Sequence, residues 1–396
     1  MLKTLFVFGT RPEAIKLCPV ILHMKSRPEE FDVRVVVTAQ HRQMLDQVLK
    51  TFRVTPDYDL DSMTPGQTLA SSAARILAAL EPVYLDAKPG IVYVQGDTTT
   101  TLCGALAAFY ARIPVGHIEA GLRTGDLAQP FPEEMNRVVT GRLAAIHFAA
   151  TEGARRNLLR ENVAPETIHV TGNSGIDALL HVRDRLASGE LSGAPNLAGF
   201  GSNLAGFAAG AGKRLIVVTA HRRESFGGGF ENICRALQAI SRRGDVDIVY
   251  PVHRNPNVMG PVNKYLDGIP NIHLIEPLDY VPFVDLMRRA HLLLTDSGGI
   301  QEEGPSLGKP VIVMREKTER PEAIEAGTVV MAGTDERRII TEVARLLEDP
   351  EATDAMSRVH NPYGDGHASE RIAAASLSFF RPEIGKTLPG LKVGHN

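Results

Sequence analysis

Apolar runs of strand length alternate with amphipathic stretches of helical length along nearly the whole chain. This is the pattern of a parallel sheet buried under helices on both faces. The first half carries the runs LFVFG, VRVVVTA, IVYVQG, IPVGHIE, AIHFAA and IHVTG. The pattern restarts with RLIVVTAH and continues through VDIVYPVH, IHLIEPL, HLLLTDSGG and PVIVMR. Between the two series lies ASGELSGAPNLAGFGSNLAGFAAGAGK, residues 187–213, rich in Gly, Ala and Ser and poor in charge. That composition suits a connection better than a packed element. The predicted fold is therefore α/β, with two Rossmann-like doubly wound domains. The first spans 1–186, the connection 187–213 and the second domain 214–365, and a C-terminal helix and tail, 366–396, is expected to pack back on the first. Such domains are expected to face a cleft with the carboxyl ends of their strands, where ligands of open α/β sheets bind.

Length and composition agree with this division. A chain of 396 residues exceeds one ordinary hydrophobic core, and 43% apolar residues can fill two. The 43 Lys and Arg against 46 Asp and Glu leave a formal charge of −3, which argues against nucleic acid or a membrane surface as the main partner. Any bound anion must be met by locally placed charge. Cys18, Cys103 and Cys234 each fall inside an apolar helical pattern, without the spacings of disulfides or zinc sites, so a reducing, cytoplasmic setting is expected. No stretch reaches the roughly 20 apolar residues of a membrane span.

An echo links the halves: TRPEAIKL at 10–17 and ERPEAIEA at 319–326. Both read as a strand-to-helix turn with Pro at the first helical position, an acid in the first turn and an Arg just outside it, so that Arg11 and Arg320 would each point into the cleft. In VFGTRPEAIK the strand ends at Gly9, where backbone can approach a ligand, and Arg11 and Lys16 supply charge for a diphosphate. The plainer role is a capping box formed by Thr10 and Glu13. The two readings are compatible. A dinucleotide fingerprint would need G-x-G-x-x-G, and only Gly9 is present, so NAD lacks its usual seat.

Asp97, in IVYVQGDTTTTL, taken alone reads as a helix N-cap. Its company changes that picture, because Glu119 ends the next apolar run and Glu133 and Glu134 follow Pro132. First-turn glutamates are ordinary dipole complements, whereas Glu119 has no such structural reason. In the second half, VVTAHRRESFGGG carries His221 into a glycine run. With no second His or Cys at metal spacing, a cationic phosphate loop is preferred over zinc. HLLLTDSGGIQEEGPSLGKP runs from a buried strand into Ser297, Gly298 and Gly299, whose amides at a helix start can cradle phosphate, with Glu302 or Glu303 one turn on to accept from ribose. Phe283 in DYVPFVDLM reads from its pattern as core.

At these residues the chain resembles the non-hydrolysing bacterial UDP-N-acetylglucosamine 2-epimerases. The resemblance rests on FGTRPEAIK, TAQHRQMLDQVL, GDTTTTL, GHIEAGLRTGD, PEEMNR, TAHRRESFG, PVHRNPNV, LTDSGGIQEEGPSLGKPV, ERPEA and NPYGDG, in order from residue 3 to about 375. It implies the glycosyltransferase-B arrangement, a homodimer, and interconversion of UDP-N-acetylglucosamine and UDP-N-acetylmannosamine for surface polysaccharides, without a redox cofactor. The route implied is anti elimination of UDP to 2-acetamidoglucal, then re-addition. By the same resemblance Asp97, Glu119 and Glu133 form the acid/base set, and Arg11, Lys16 and His221 stabilise the diphosphate. Ser297, Gly298 and Gly299 hold phosphate, Glu303 the ribose and Phe283 the uracil region, with Arg320 nearby. Gln40, His41 and Gln43 match a family site for a second UDP-N-acetylglucosamine as activator, although Gly66 stands where some relatives carry a basic residue. Asp126 receives no role. The alternatives are a hydrolysing epimerase, a glycosyltransferase of the same fold and a non-catalytic nucleotide-sugar sensor.

Overall fold

The computed structural model describes residues 1–38, 42–62, 64, 66–193, 213–359 and 361–380, apart from the side chains of Arg42 and Gln43. Most of the 187–213 connection lies outside the described residues. The chain forms two compact units, one comprising Met1–Ala178 and the segment from Tyr363 onward, the other Leu179–Pro362. The division falls inside the helix Ser174–Ala187, earlier than residue 186. Chain continuity through a helix is invisible to a reading based on composition.

The first unit holds seven strands: β1 (Leu2–Phe8), β2 (Phe31–Val37), β3 (Tyr58–Asp59), β4 (Ile91–Gln95), β5 (Val115–Ala120), β6 (Ile146–Ala149) and β7 (Ile168–Val170). They form one parallel sheet in the order β3-β2-β1-β4-β5-β6-β7. The central strands have no wet face: Leu5, Phe6, Val7 and Phe8 of β1 are wholly buried, as are Ile91 to Val94 of β4. This is why they read as unbroken apolar runs rather than as alternation. The helix Ala368–Phe380 belongs to this unit. Asp177 accepts the backbone N–H groups of Ala368 and Ser369 at its start, at 3.2 and 2.7 Å, and Tyr93 of β4 donates to Ser376 at 2.6 Å.

The second unit holds β8 (Arg214–Thr219), β9 (Val246–Pro251), β10 (Ile272–Ile275), β11 (Leu292–Thr295), β12 (Val311–Val313) and β13 (Val329–Met331). They also form a parallel sheet, ordered β10-β9-β8-β11-β12-β13. Both sheets reverse direction of strand addition beside their first strand, between β1 and β4 and between β8 and β11, which is the switch point where doubly wound sheets bind ligands.

The echoed octapeptides occupy different places in this topology. TRPEAIKL follows the first strand of its sheet, whereas ERPEAIEA follows the fifth, so the echo does not mark equivalent positions. Thr10 caps the first helix, which puts Arg11 inside its first turn. Arg320 is itself the cap residue of the short helix Pro321–Glu325. The Thr10 hydroxyl, lacking in the second copy, makes this difference. Cys18, Cys103 and Cys234 are free and buried, and among the described residues no helix is long and apolar enough to cross a membrane.

Candidate active site

In the first unit the charged side chains collect at the carboxyl ends of β1, β4 and β5. Glu119 sits at a register irregularity between Ile118 and Ala120 in the β5–β6 pairing, with φ +64°. A non-glycine residue with positive φ at a bulge is a strained conformation that re-aims its side chain. The carboxylate turns over Gly96, where an added Cβ would lie 3.5 Å from Glu119 Oε2. Lys16 Nζ meets both Glu119 oxygens, at 2.5 and 2.7 Å, and Gln95 donates to Oε2. Lys16, whose charge the sequence offers to a diphosphate, thus also bridges Glu119.

Asp97 follows β4 across the Gly96 turn. Its carboxylate meets Arg137 Nη2 at 2.5 Å, and its backbone carbonyl accepts from Asn136 Nδ2 at 2.8 Å. Burial raises the Asp97 pKa and outweighs the opposing pull of Arg137, and the negative charges of Glu119 and Glu133 raise it further. Two acids thus diverge: one oxygen pair is covered by an ammonium, and the other carboxyl is pushed toward holding its proton.

Glu133 and Glu134 open the helix Glu133–Leu143, and their fates differ. Glu134 is buried; its Oε1 accepts the N–H groups of Thr124 and Gly125 at 2.9 and 3.0 Å, and its Oε2 lies 3.2 Å from Arg137 Nη1. It braces the loop after β5. Glu133 is half-buried and near enough for its charge to act on Asp97. Arg137, four residues on in PEEMNR, escaped sequence reasoning, since an Arg one turn after two glutamates is also an ordinary surface pairing. Asp126 accepts the N–H of Ala128 at 2.9 Å and serves the loop turn.

The Thr10–Glu13 capping box is present. Glu13 does more than cap, because its buried carboxylate takes N–H groups from Gly9 and Thr10 at 3.0 and 2.7 Å and hydroxyls from Thr98 and Thr101 at 2.6 and 3.2 Å. One side chain thereby locks the turn after β1 to the turn after β4. Gly9 is required by this packing, since a Cβ there would lie 2.1 Å from Thr38 Oγ1. Arg11 is half-buried in the first turn of its helix. Beneath the site His117 of β5 is fully buried, with Nε2 2.8 Å from the Gly96 carbonyl oxygen. Burial drives its pKa down to about 3.

In the second unit the switch point carries cations. The loop after β8 brings His221, Arg222 and Arg223, and Asp296 after β11 accepts the N–H groups of His221 and Arg222, both at 2.6 Å. The imidazole of His221 stacks on His253 with ring centroids 5.5 Å apart, a neighbour supplied by the end of β9 and hidden by 32 residues of sequence separation. Among the described residues no group of three His, Cys, Asp or Glu is placed to hold a metal ion. Ser297 caps the helix Gly298–Ser306 without a side-chain hydrogen bond, so its hydroxyl does not occupy the first-turn amides. Arg320 lies against Gly298, where a Cβ would come within 3.0 Å of its guanidinium carbon, and its Nε donates to Glu302 at 2.8 Å. That pair separates Glu302, buried on Arg320, from Glu303, which is half-buried.

Phe283 is half-buried on the helix Tyr280–Arg289, not in the core that its pattern alone suggested. Arg315, also missed in the sequence, is buried and fixes the loop after β12 through Glu224 at 2.5 Å and Glu319 at 2.9 and 3.1 Å. Burial pushes Glu319 up, but Arg315 prevails and holds its carboxyl at about 2. Gln40 and His41 lie outside the described residues, and Gln43 is described only by its backbone, in the helix Arg42–Phe52.

Two parallel doubly wound sheets, one gathering carboxylates and the other cations at the switch point, define a Rossmann-like α/β enzyme of the nucleotide-binding kind. The model of the UDP-N-acetylglucosamine 2-epimerase family matches residues 23–376, and the chain belongs to that family. The UDP-N-acetylglucosamine 2-epimerase of Salmonella typhimurium is 59% identical over 379 residues, covering 96% of this chain and 99% of its own. That of Escherichia coli K12 is 57% identical over 375 residues, covering 94% and 98%. Among solved structures, the UDP-GlcNAc 2-epimerase from Neisseria meningitidis bound to UDP-GlcNAc aligns with TM-score 0.84 at 46% identity, covering 95% of this chain and all of that one. A Staphylococcus aureus co-structure with UDP aligns with TM-score 0.81 at 43% identity, covering 96% and 97%.

Proposed function

We propose that the chain interconverts UDP-N-acetylglucosamine and UDP-N-acetylmannosamine by inverting carbon 2 of the sugar. The observation that carries this reading is the pair of unlike acids on adjacent strands: Glu119 covered by Lys16 at 2.5 and 2.7 Å, and Asp97 raised by burial. The carbon 2 hydrogen is not adjacent to a carbonyl, so removal and return of the proton alone is too costly. Elimination solves this. Glu119, paired with Lys16, takes the carbon 2 proton while the bond from carbon 1 to the diphosphate oxygen breaks, giving 2-acetamidoglucal and UDP. Asp97 then delivers a proton to the opposite face of carbon 2 as the diphosphate oxygen rejoins carbon 1. In the reverse direction the two acids exchange roles.

Glu133 supports the set through its charge on Asp97. The departing diphosphate needs concentrated positive charge, which we assign to Arg11, Lys16 and His221, with the amides of Ser297, Gly298 and Gly299 around its oxygens. Glu303 accepts from the ribose, Phe283 packs on the uracil and Arg320 borders Gly298. The homodimer, and an activator site at Gln40, His41 and Gln43 for a second UDP-N-acetylglucosamine, are carried into the proposal by the resemblance to the family.

The test is incubation with UDP-N-acetylglucosamine in heavy water, followed by NMR of carbon 2 and of the product. The expected product is UDP-linked mannosamine bearing deuterium at carbon 2, without added NAD. Free N-acetylmannosamine as the main product would instead establish hydrolysis, and absence of exchange would refute the elimination route.

A further inference from the structure

Asp296 is a carboxylate that the proposed reaction leaves without a task. It stands at the carboxyl end of β11 and is fully buried. Its Oδ2 takes two backbone N–H groups, from His221 and Arg222. Its Oδ1 is also buried and accepts no hydrogen bond among the described residues. The His221 imidazole stands over this oxygen with Nδ1 3.6 Å away, while the ring stacks on His253 at an interplanar angle of 17°. An unsatisfied buried acceptor is unfavourable, and a shift of under about 1 Å would bring Nδ1 within hydrogen-bond range.

We infer that Asp296 is a positioning residue for His221, holding the imidazole proton on Nδ1 so that Nε2 is the atom that gains a proton when a diphosphate binds. The charged neighbours facing His221 act in both directions. Asp296 favours the imidazolium, while His253 and Arg222 oppose it, and burial, the largest influence, lowers the His221 pKa in the free protein. The ring therefore waits neutral with Nε2 unprotonated. An arriving dianion tips the balance. The proton comes from solvent, resides on Nε2 while the diphosphate is bound and returns on release, so only an N–H bond forms and breaks. This inference rests on the reading that the second unit holds the nucleotide diphosphate.

Nitrogen-15 NMR of the free protein reads the tautomer directly, and calorimetric titration with UDP in two buffers of different ionisation enthalpy reads proton uptake. The wild type should carry the His221 proton on Nδ1 and, at a pH about one unit above the free His221 transition, take up close to one proton per UDP. Asp296→Asn keeps an oxygen for the two backbone N–H groups but turns an NH2 toward Nδ1. The proton should move to Nε2, uptake should vanish and UDP affinity should fall about tenfold, a typical loss for one charge-assisted hydrogen bond. A wild-type proton on Nε2, or an unchanged tautomer and uptake in Asp296→Asn, would overturn the inference. A wild-type proton on Nδ1 in a protein that fails to bind UDP would uphold the Asp296 pairing and refute the nucleotide reading instead.

Discussion

The ends of the two first strands pose the same backbone problem and answer it differently. After β1, the N–H groups of Gly9 and Thr10 are taken by Glu13, from the helix that follows. After β8, the N–H groups of His221 and Arg222 are taken by Asp296, from the end of the neighbouring strand β11. The consequence lies in what each solution leaves over. Because Glu13 satisfies the first turn from its own helix, the acid after the neighbouring strand β4 is spared, and Asp97 is available for chemistry, paired laterally with Arg137. In the second unit the corresponding acid spends one oxygen on the backbone, and among the exposed side chains of that loop are His221 and Arg223. One topology thus yields a carboxylate site in one unit and a cationic site in the other, according to where a single acid is placed.

The largest expected effect tests the chemical half of this contrast. Asp97→Asn or Glu119→Gln should lower turnover by about two to four powers of ten, as loss of a general acid or base does. Steady-state rates near normal in both would remove them from the mechanism. Next comes the structural acid of the same unit. Glu13→Ala should cost about 1–3 kcal/mol for each donor left unsatisfied among Gly9, Thr10, Thr98 and Thr101, measured by denaturant unfolding; a loss under about 1 kcal/mol would show that solvent replaces Glu13 and that the comparison with Asp296 is superficial.

Removing Arg137 should be costly as well. Arg137→Met leaves buried Glu134 without its counter-charge, and breaking a buried pair costs about 3–5 kcal/mol. It also takes away the positive group that lowers Asp97 most strongly, so any residual forward activity, which needs Asp97 protonated, should show its alkaline limb at higher pH. An unmoved limb would detach Asp97 from the rate profile.

His117 offers a smaller, pH-resolved effect. Its folded pKa, about 3, lies below the unfolded value of about 6.5. The unfolded chain therefore binds the extra proton, so this contribution is complete above pH ~6.5 and is lost as pH falls toward 3, at up to about 1.4 kcal/mol per pH unit. His117→Gln should flatten the stability profile in that window; an identical slope would mean that His117 ionises freely in the fold.

The smallest effect has the opposite sign. Asp97 is raised in the fold, so its ionisation costs stability, progressively so as pH rises through the interval above its unfolded value. Asp97→Asn should then be more stable than the wild type at pH 7, by about 1 kcal/mol or less, while nearly inactive. Lower stability at pH 7 would show that the Arg137 pairing outweighs burial.

What sequence and fold each supplied can be read from single residues. The two doubly wound sheets follow from unbroken apolar runs such as LFVF and LLLT, because a strand buried on both faces has no polar side to show. The capping box of Thr10 and Glu13 was legible, since its partners lie three residues apart and meet by helix geometry alone. So was Glu119, whose place at the end of an apolar run had no local reason. Arg137 on Asp97, His253 on His221 and Asp296 beneath His221 were not legible, because each joins elements 32 to 75 residues apart in the chain and local preference says nothing about which elements become neighbours. The contact of Lys16 with Glu119 was not legible either: a helical lysine near a turn predicts only positive charge, and the bulge that tips Glu119 toward it arises from strand pairing. Local periodicity determined which segments are strands and helices and which acids look out of place; burial and the order of strands decided which of those acids are spent on backbone and which remain for chemistry.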